Sequence, residues 1–287
     1  MATTGQLLVG TATNPVSDVT IYLNHNMGYN HVTESGSDTD DGQLMSYGIT
    51  KMYGTAKTSW TLLNDDCDQC QVLSVDECNG WSIGDHLVVT TTGNGATSFG
   101  SVIQNADNFK SEERTISAVS ESVNGCSITL NGALSYHHRG RWLNGVVPTQ
   151  SEVLNLDRSI VITGPDVHWY SASDPVQGFQ GIVTRQAGND GLMHIENVRV
   201  EKCGRVLLGE YCLHFHYAGD CPECIFRGNV VTEGNNKGIT VHGTHHSLVD
   251  RNVIYDVRGA FLYIEDGNEY ENTIRFVIPN WFNVHIK

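Results

Sequence analysis

Helical periodicity is what this chain most lacks. No segment longer than about ten residues repeats apolar side chains at the spacing of an amphipathic helix, which excludes a helical bundle. Proline is scarce, at 6 of 287 residues, so the short β-like runs are seldom interrupted by it. Cations are outnumbered 17 to 32, giving a formal charge of −15. A surface of that sign repels polyanions and excludes nucleic acid as the main partner. No stretch is long and apolar enough to span a bilayer, so no membrane segment is expected. The opening "MATTGQLLVGTATN" has no basic start followed by an apolar run, so no secretory leader is read there.

What is present is β-forming. Glycine is abundant at 30 residues, and Val, Ile and Thr recur in short runs. "DVTIYL", "TSWTLL", "CQVLSV", "HLVVTTT", "RTISAV", "CSITL" and "SIVITG" each alternate or run apolar for a few residues, with Gly, Asn or Asp at their ends. Residues 1–165 are therefore expected to form an all-β unit.

Eight cysteines include two CxxC pairs, Cys67/Cys70 and Cys221/Cys224. These pairs lie too far apart in sequence for the usual four-thiolate zinc site. Disulfides of an oxidising compartment are expected instead, with Cys203, Cys212, Cys221 and Cys224 crowded enough to pair among themselves. Such cysteines without a leader suggest a mature or truncated piece of an extracellular protein.

From about residue 190 the pattern repeats. "RGNVVTEGNNKGITVHGT" and "DRNVIYDVRGAFLYIEDG" place Asn229 and Asn252 23 residues apart, and His242 and Glu265 at the same interval. An earlier copy, "IENVRVEKCGRVLLGEYCLHFHYAGD", carries Asn197 in the same role, with extra residues before its second strand. A period in the low twenties, with short strands and no leucine-rich pattern, is that of coils in a parallel β-helix, assigned here to residues 166–287. Stacking makes equivalent positions neighbours at about 4.8 Å.

Alternation along the second strand of each copy points Leu213, Phe215, Ile239, Val241, Leu262 and Ile264 inward. The residues between them form two outward columns: His214, Thr240 and Tyr263, and beside it His216, His242 and Glu265. Imidazoles and a carboxylate in such a line suit Zn²⁺ or a similar divalent metal, with Ca²⁺ left open. His214, His216, His242 and Glu265 are the expected ligands. Without a metal, the same groups suit acid–base work by Glu265, Asp266 and His214. An outward polar ladder that serves only solubility is the competing reading.

Asn197, Asn229 and Asn252 are read as structural turn residues. Gly238, Gly243, Gly259 and Gly267 are read as turn formers. "SYHHRGRW" gathers His137, His138, Arg139 and Arg141, a solvated loop or an anion-binding patch. Glu152, Asp157 and Arg158 are read as a surface ion-pair group.

At these residues the chain resembles a known family. "GEYCLHFHYAGD", "ITVHGTHHSLVDRNVIYDVRG" and "IEDGNEYENT" are similar to segments of the cell-surface hyaluronidase family, which includes the cell migration-inducing and hyaluronan-binding protein, and of the fibrocystin-like receptors. "LLVGTATNPVSDVTIYL", "MYGTAKTSWTLL", "GWSIGDHLVVTTT", "EERTISAV" and "SEVLNLDRSIVITG" resemble that family's G-eight domain, in the same order. Cys212 stands where the family usually has proline.

The resemblance implies an all-β, right-handed, single-stranded parallel β-helix preceded by a β-rich G-eight-like domain, in an extracellular or cell-surface protein. It implies one of two functions. The first is binding or hydrolysis of an acidic polysaccharide such as hyaluronan, a glycoside hydrolase reaction; on that reading the cations and ring of His137, Arg139, Arg141 and Tyr263 are the expected sugar contacts. The second is a non-catalytic binding or adhesion module of the fibrocystin-like type.

Overall fold

The computed structural model describes residues 5–23, 42–91, 111–123, 125–140, 150–165, 179, 181–185, 191–205, 208–275 and 278–279. Among them the regular elements are strands, and no helix is long and apolar enough to cross a membrane. The chain divides into two units: Met1–Ala56 with Arg158–Lys287, and Lys57–Asp157.

The first coil of the first unit is β1 (Gln6–Val9), β2 (Val19–Tyr22) and β3 (Gln43–Ser46). A second coil opens with β4 (Ile49–Tyr53). The chain then leaves to build the whole second unit from β5 (Trp60–Leu62), β6 (Cys67–Asp68), β7 (Val72–Val75), β8 (His86–Val89), β9 (Glu112–Ser122), β10 (Gly125–Leu130), β11 (His137–His138) and β12 (Glu152–Asn155). Only afterwards is the second coil completed, by β13 (Ile160–Thr163) and β14 (Gly181–Arg185). Third and fourth coils follow as β15 (Leu192–Glu196), β16 (Val198–Glu201) and β17 (Leu213–Asp220), then β18 (Ile225–Arg227), β19 (Val230–Gly234) and β20 (Ile239–His245). The last are β21 (Leu248–Asp250), β22 (Val253–Val257) and β23 (Leu262–Ile264), then β24 (Thr273–Arg275) and β25 (Ile278–Pro279).

Stacking produces three parallel sheets, β1-β4-β15-β18-β21-β24, β2-β13-β16-β19-β22-β25 and β3-β14-β17-β20-β23. This is the expected parallel β-helix. Its extent differs from the expectation, because strands within residues 1–56 are coils of the helix, while the separate β unit is inserted at Lys57–Asp157. The expected division at 165/166 does not mark the boundary. Coil strands and the strands of an antiparallel unit show the same alternation, so periodicity does not separate them.

The inward side chains are those expected. Leu213, Phe215, Ile239 and Val241 are fully buried, and the Phe215 ring lies flat on Phe226 at 3.8 Å and 5°. One corner of the coils is held by asparagines. Asn229 Oδ1 accepts from the Val198 N–H at 3.0 Å, and its Nδ2 donates to Ile195 O at 2.9 Å. Asn252 repeats the pattern one coil later, accepting from Asn229 N–H at 2.9 Å and donating to Phe226 O at 2.8 Å. Asn197 differs by one register position: Val198, not Asn197, stacks on Asn229. Asn197 instead shares the left-handed corner with Gly228 and Arg251, at φ of 55°, 63° and 54°, a conformation asparagine tolerates.

Removing the Asn229 side chain leaves the Val198 N–H and the Ile195 C=O, both in the buried interior, without this partner. Asn229→Ala is expected to cost about 2–3 kcal/mol in urea unfolding, with Asn229→Asp recovering little because it lacks the Nδ2 donor. A loss below about 0.5 kcal/mol would show that the corner does not depend on this residue.

The second unit is antiparallel, with strand order β5-β12-β8-β9-β10-β7 and a separate β11-β6 pair. Its core includes Leu73, Val75, Leu87, Val89, Ile116, Ile128, Leu130 and Val153. All eight cysteines are paired, as Cys67–Cys70, Cys78–Cys126, Cys203–Cys212 and Cys221–Cys224, in keeping with an oxidising compartment.

Within "SYHHRGRW", His138 is no surface group. It is fully buried, with Nδ1 2.9 Å from Thr90 O and Nε2 3.0 Å from Glu112 Oε2. Glu112 also accepts from the Ser135 and Tyr136 N–H groups at 2.7 and 2.9 Å. The surface ion-pair reading also fails at Arg158, which is buried and donates from Nε to Gly228 O at 2.7 Å.

Burial pushes the Glu112 carboxyl up, but hydrogen bonds from His138, Ser135 and Tyr136 outweigh it and hold it below the ordinary carboxylate range. A depressed carboxyl stabilises the fold above its unfolded-state pKa, and that contribution is lost as pH falls through the folded value. The second unit is therefore expected to lose stability on acidification below the ordinary glutamate range. Glu112→Gln is expected to flatten that dependence while lowering stability at neutral pH, as followed by thermal unfolding across pH.

Candidate functional site

The site lies on the sheet formed by β17, β20 and β23. Parallel pairing matches His214 with Thr240 and His216 with His242, then Thr240 with Tyr263. Glu265 follows β23, and its N–H donates to Val241 O at 3.1 Å, extending the ladder by one rung. Both columns read from the repeat are therefore present. They are not an exposed wall: His214 and Thr240 are fully buried or nearly so, and His242 is 8% exposed.

His216 Nδ1 is 3.3 Å from His214 Nε2, which is 3.9 Å from Glu265 Oε2. Glu265 Oε2 in turn lies 3.3 Å from His242 Nδ1, and His242 Nε2 lies 3.1 Å from Asp266 Oδ2. The His214 and His242 rings are nearly parallel at 6.0 Å, with His216 edge-on to both at 4.8 Å.

Nitrogens of His214, His216 and His242 fall within 4.8 Å of one another. Both His242 ring nitrogens and Glu265 Oε2 are buried yet make no hydrogen bond of proper geometry, despite their closeness. Buried polar atoms that face each other without bonding call for a third party between them. Three imidazoles and one carboxylate are a donor set that fits Zn²⁺ or a related transition ion, and the nitrogen-rich character disfavours Ca²⁺.

Residues outside the repeat complete the site. Tyr211 is buried just before β17, and its hydroxyl donates to Glu265 Oε1 at 3.1 Å, aiming the other oxygen at the histidines. Burial, with the Glu265 carboxylate adding to it, pushes the Tyr211 hydroxyl up to about 12, so it stays a donor at neutral pH. Lys237 sets its ammonium over the rings of Tyr211 and Tyr263, at 3.9 and 4.4 Å. Glu269 accepts from the N–H groups of Gly243 and Gly267 at 2.9 and 2.8 Å, fixing the loop that carries Asp266. Asp266 is the most exposed acid of the group, its side chain 39% accessible.

Tyr211 and Lys237 were not legible in the sequence, since neither occupies a position of the repeating strand. Gly243, read as a turn former, lies inside β20 instead.

The structure brings together His214, His216, His242, Glu265, Asp266 and Tyr263. His137 and Arg139 belong to the second unit, where His137 pairs with Asp68 on β6. Arg141 lies outside the described residues.

Replacing Tyr211 tests the aiming of Glu265. If the four donors hold zinc, Tyr211→Phe is expected to keep the fold but to weaken that binding by about tenfold, as for other residues that orient a ligand from behind, measured by competition with a chromogenic chelator.

Comparison with known proteins agrees with this architecture. Residues 179–279 match the family described as CEMIP beta-helix. Human Fibrocystin-L is 28% identical over 95% of this chain and 7% of its own length. A G8 domain-containing protein of Dictyostelium discoideum is 30% identical over 74% of this chain and 13% of its own. Human Cell surface hyaluronidase CEMIP2 is 26% identical over 92% of this chain and 19% of its own. The chain thus spans only a small part of each of these relatives. The stretch that matches the CEMIP beta-helix family contains every strand that supplies the histidine columns.

Proposed function

We propose that this chain is an extracellular glycan-active module whose β-helix binds and hydrolyses an acidic polysaccharide of the hyaluronan type. The observation that carries this reading is the convergence of three imidazoles and the Glu265 carboxylate, with buried atoms of His242 and Glu265 facing one another unbonded. Support also comes from a relative whose name states a hyaluronidase. The unit Lys57–Asp157 is assigned to the G8-like part of the chain.

His214, His216, His242 and Glu265 would hold a divalent metal. Such an ion supplies Lewis acidity and lowers the pKa of bound water. Tyr211 orients Glu265. Asp266, exposed and beside His242 Nε2, is assigned the proton transfer to or from the glycan. Tyr263 and Lys237 border the site on the His214 side and are assigned to sugar contact. His137, Arg139 and Arg141 are retained as candidate contacts for sugar carboxylates, since a chain of charge −15 needs local cations to hold an acidic glycan.

The burial of His214 and His242 favours a second reading. Structural metal sites are closed, whereas catalytic ones keep an accessible position. On that reading the ion braces a non-catalytic binding module of the fibrocystin-like type.

One experiment separates them. Untagged protein is assayed for metal by mass spectrometry and incubated with size-defined hyaluronan, alongside His216→Ala and His242→Ala. The enzymatic reading expects bound zinc and shortening of the glycan, both lost in the variants. Bound zinc with glycan of unchanged length selects the structural reading. Absence of metal in the wild type, with no change in glycan length, would overturn both.

A further inference from the structure

Next to the imidazoles stands an aromatic side chain that the repeat does not explain. Tyr217 directly follows His216 in β17, at an irregularity where pairing with β20 skips from His216 to Gly219. Its φ is 51°, a region that a bulky side chain adopts only at a cost of about 1–3 kcal/mol. Burial does not offset this, because Tyr217 is 54% exposed. The neighbouring bonds maintain the irregularity: the Ala218 N–H donates to Thr244 Oγ1 at 3.1 Å, and Thr244 Oγ1 donates to His242 O at 3.0 Å. Bulges beside active sites serve to re-aim a side chain.

The aim is toward the site. The Tyr217 ring lies 4.2 Å from the His242 ring and 4.8 Å from that of His216. Room for it comes from Gly243, at φ 52°, where an added Cβ would sit 2.4 Å from Tyr217 Cδ1. A side chain at 243 would push the ring from its place. One ring edge is thus seated on the imidazoles while much of the side chain stays open to solvent.

We infer that Tyr217 is a substrate-positioning wall that stacks on the apolar C–H face of a neutral pyranose ring within the glycan. The inference rests on the glycan-active reading and narrows it. An exposed phenol ring offers a flat apolar surface with a polar tip, suited to a sugar that is apolar on its face and polar at its rim. The adjacent acids, Glu265 and Asp266, oppose a carboxylate at this subsite, so a neutral ring fits better there than a uronate.

The test uses the full chain, with calorimetric titration of a size-defined hyaluronan oligosaccharide and of a neutral chitin oligosaccharide. Tyr217→Ala is expected to weaken both by about tenfold, and Gly243→Ala to do the same by displacing the ring, while zinc content holds. Tyr217→Phe is expected to stay within about twofold, and it keeps the test usable if the alanine variant does not fold. Added salt is expected to change the chitin affinity little.

Unchanged affinity in Tyr217→Ala, with His242→Ala impaired, overturns the wall and leaves the glycan-active reading standing. Loss of zinc in folded Tyr217→Ala also overturns it, since the ring would then be packing support for His242. A wild-type chain that binds neither oligosaccharide takes down the glycan-active reading and the wall with it.

Discussion

Phe226→Ala is expected to destabilise the β-helix by about 3–5 kcal/mol, a large share of the total for a domain of this kind. Phe226 is fully buried on β18, and its ring is stacked on Phe215 at 3.8 Å. Truncation removes the transfer energy of the ring and leaves a cavity that β-helix coils, fixed by their ladders, cannot collapse to fill. Phe215 lies between His214 and His216, so the loss reaches the site. On the proposed metal-binding reading, zinc affinity is expected to fall along with the unfolding midpoint. Phe226→Leu refills most of the volume and is expected to cost about 1–1.5 kcal/mol. Urea unfolding checks both values. A cost below about 1 kcal/mol for the alanine variant would mean that the ring stack is not part of a close-packed core.

The second large effect belongs to the inserted unit. Cys78–Cys126 closes a separation of 48 residues, whereas Cys67–Cys70 and Cys221–Cys224 each close 3, and Cys203–Cys212 closes 9. On the chain-entropy account the longest loop contributes about 4 kcal/mol and the shortest less than about 2 kcal/mol. Cys78→Ser with Cys126→Ser is therefore expected to unfold the unit Lys57–Asp157 first. Limited proteolysis would cut within that unit at temperatures where Cys67→Ser with Cys70→Ser, which opens the short loop of the same unit, leaves it intact. Equal sensitivity of the two double variants would contradict the loop-length ordering.

Much of the site was legible because a β-helix turns sequence period into spatial contact. The interval shared by Asn229/Asn252 and His242/Glu265 set the register of β20 on β23, and aligning the second strand of the earlier copy on them added β17 and hence the two columns. The same logic erred at Asn197 by one residue, because a left-handed corner tolerates asparagine as well as glycine. It also missed that strands near the chain start belong to coils, since an insertion separates β4 from β13 and hides the period. Tyr211 and Lys237 approach from segments between strands, where spacing carries no information about direction. Burial of the columns was likewise not legible. Alternation tells which face a side chain takes, and it says nothing about what later covers that face.

The detour of the chain between β4 and β13 imposes an order on biosynthesis. Val19 pairs with Ile160, so the early strand awaits a neighbour that emerges only after Lys57–Asp157 has been translated. At ordinary elongation speeds the delay from β4 to β13 is roughly 5–20 s, far longer than hairpin formation requires. The antiparallel unit therefore has time to fold on the ribosome while β1 has its partner in β4 but β2 and β3 still lack theirs. Its completion acts as a timer, delivering the strand that closes the second coil and lets the remaining coils be laid down in succession.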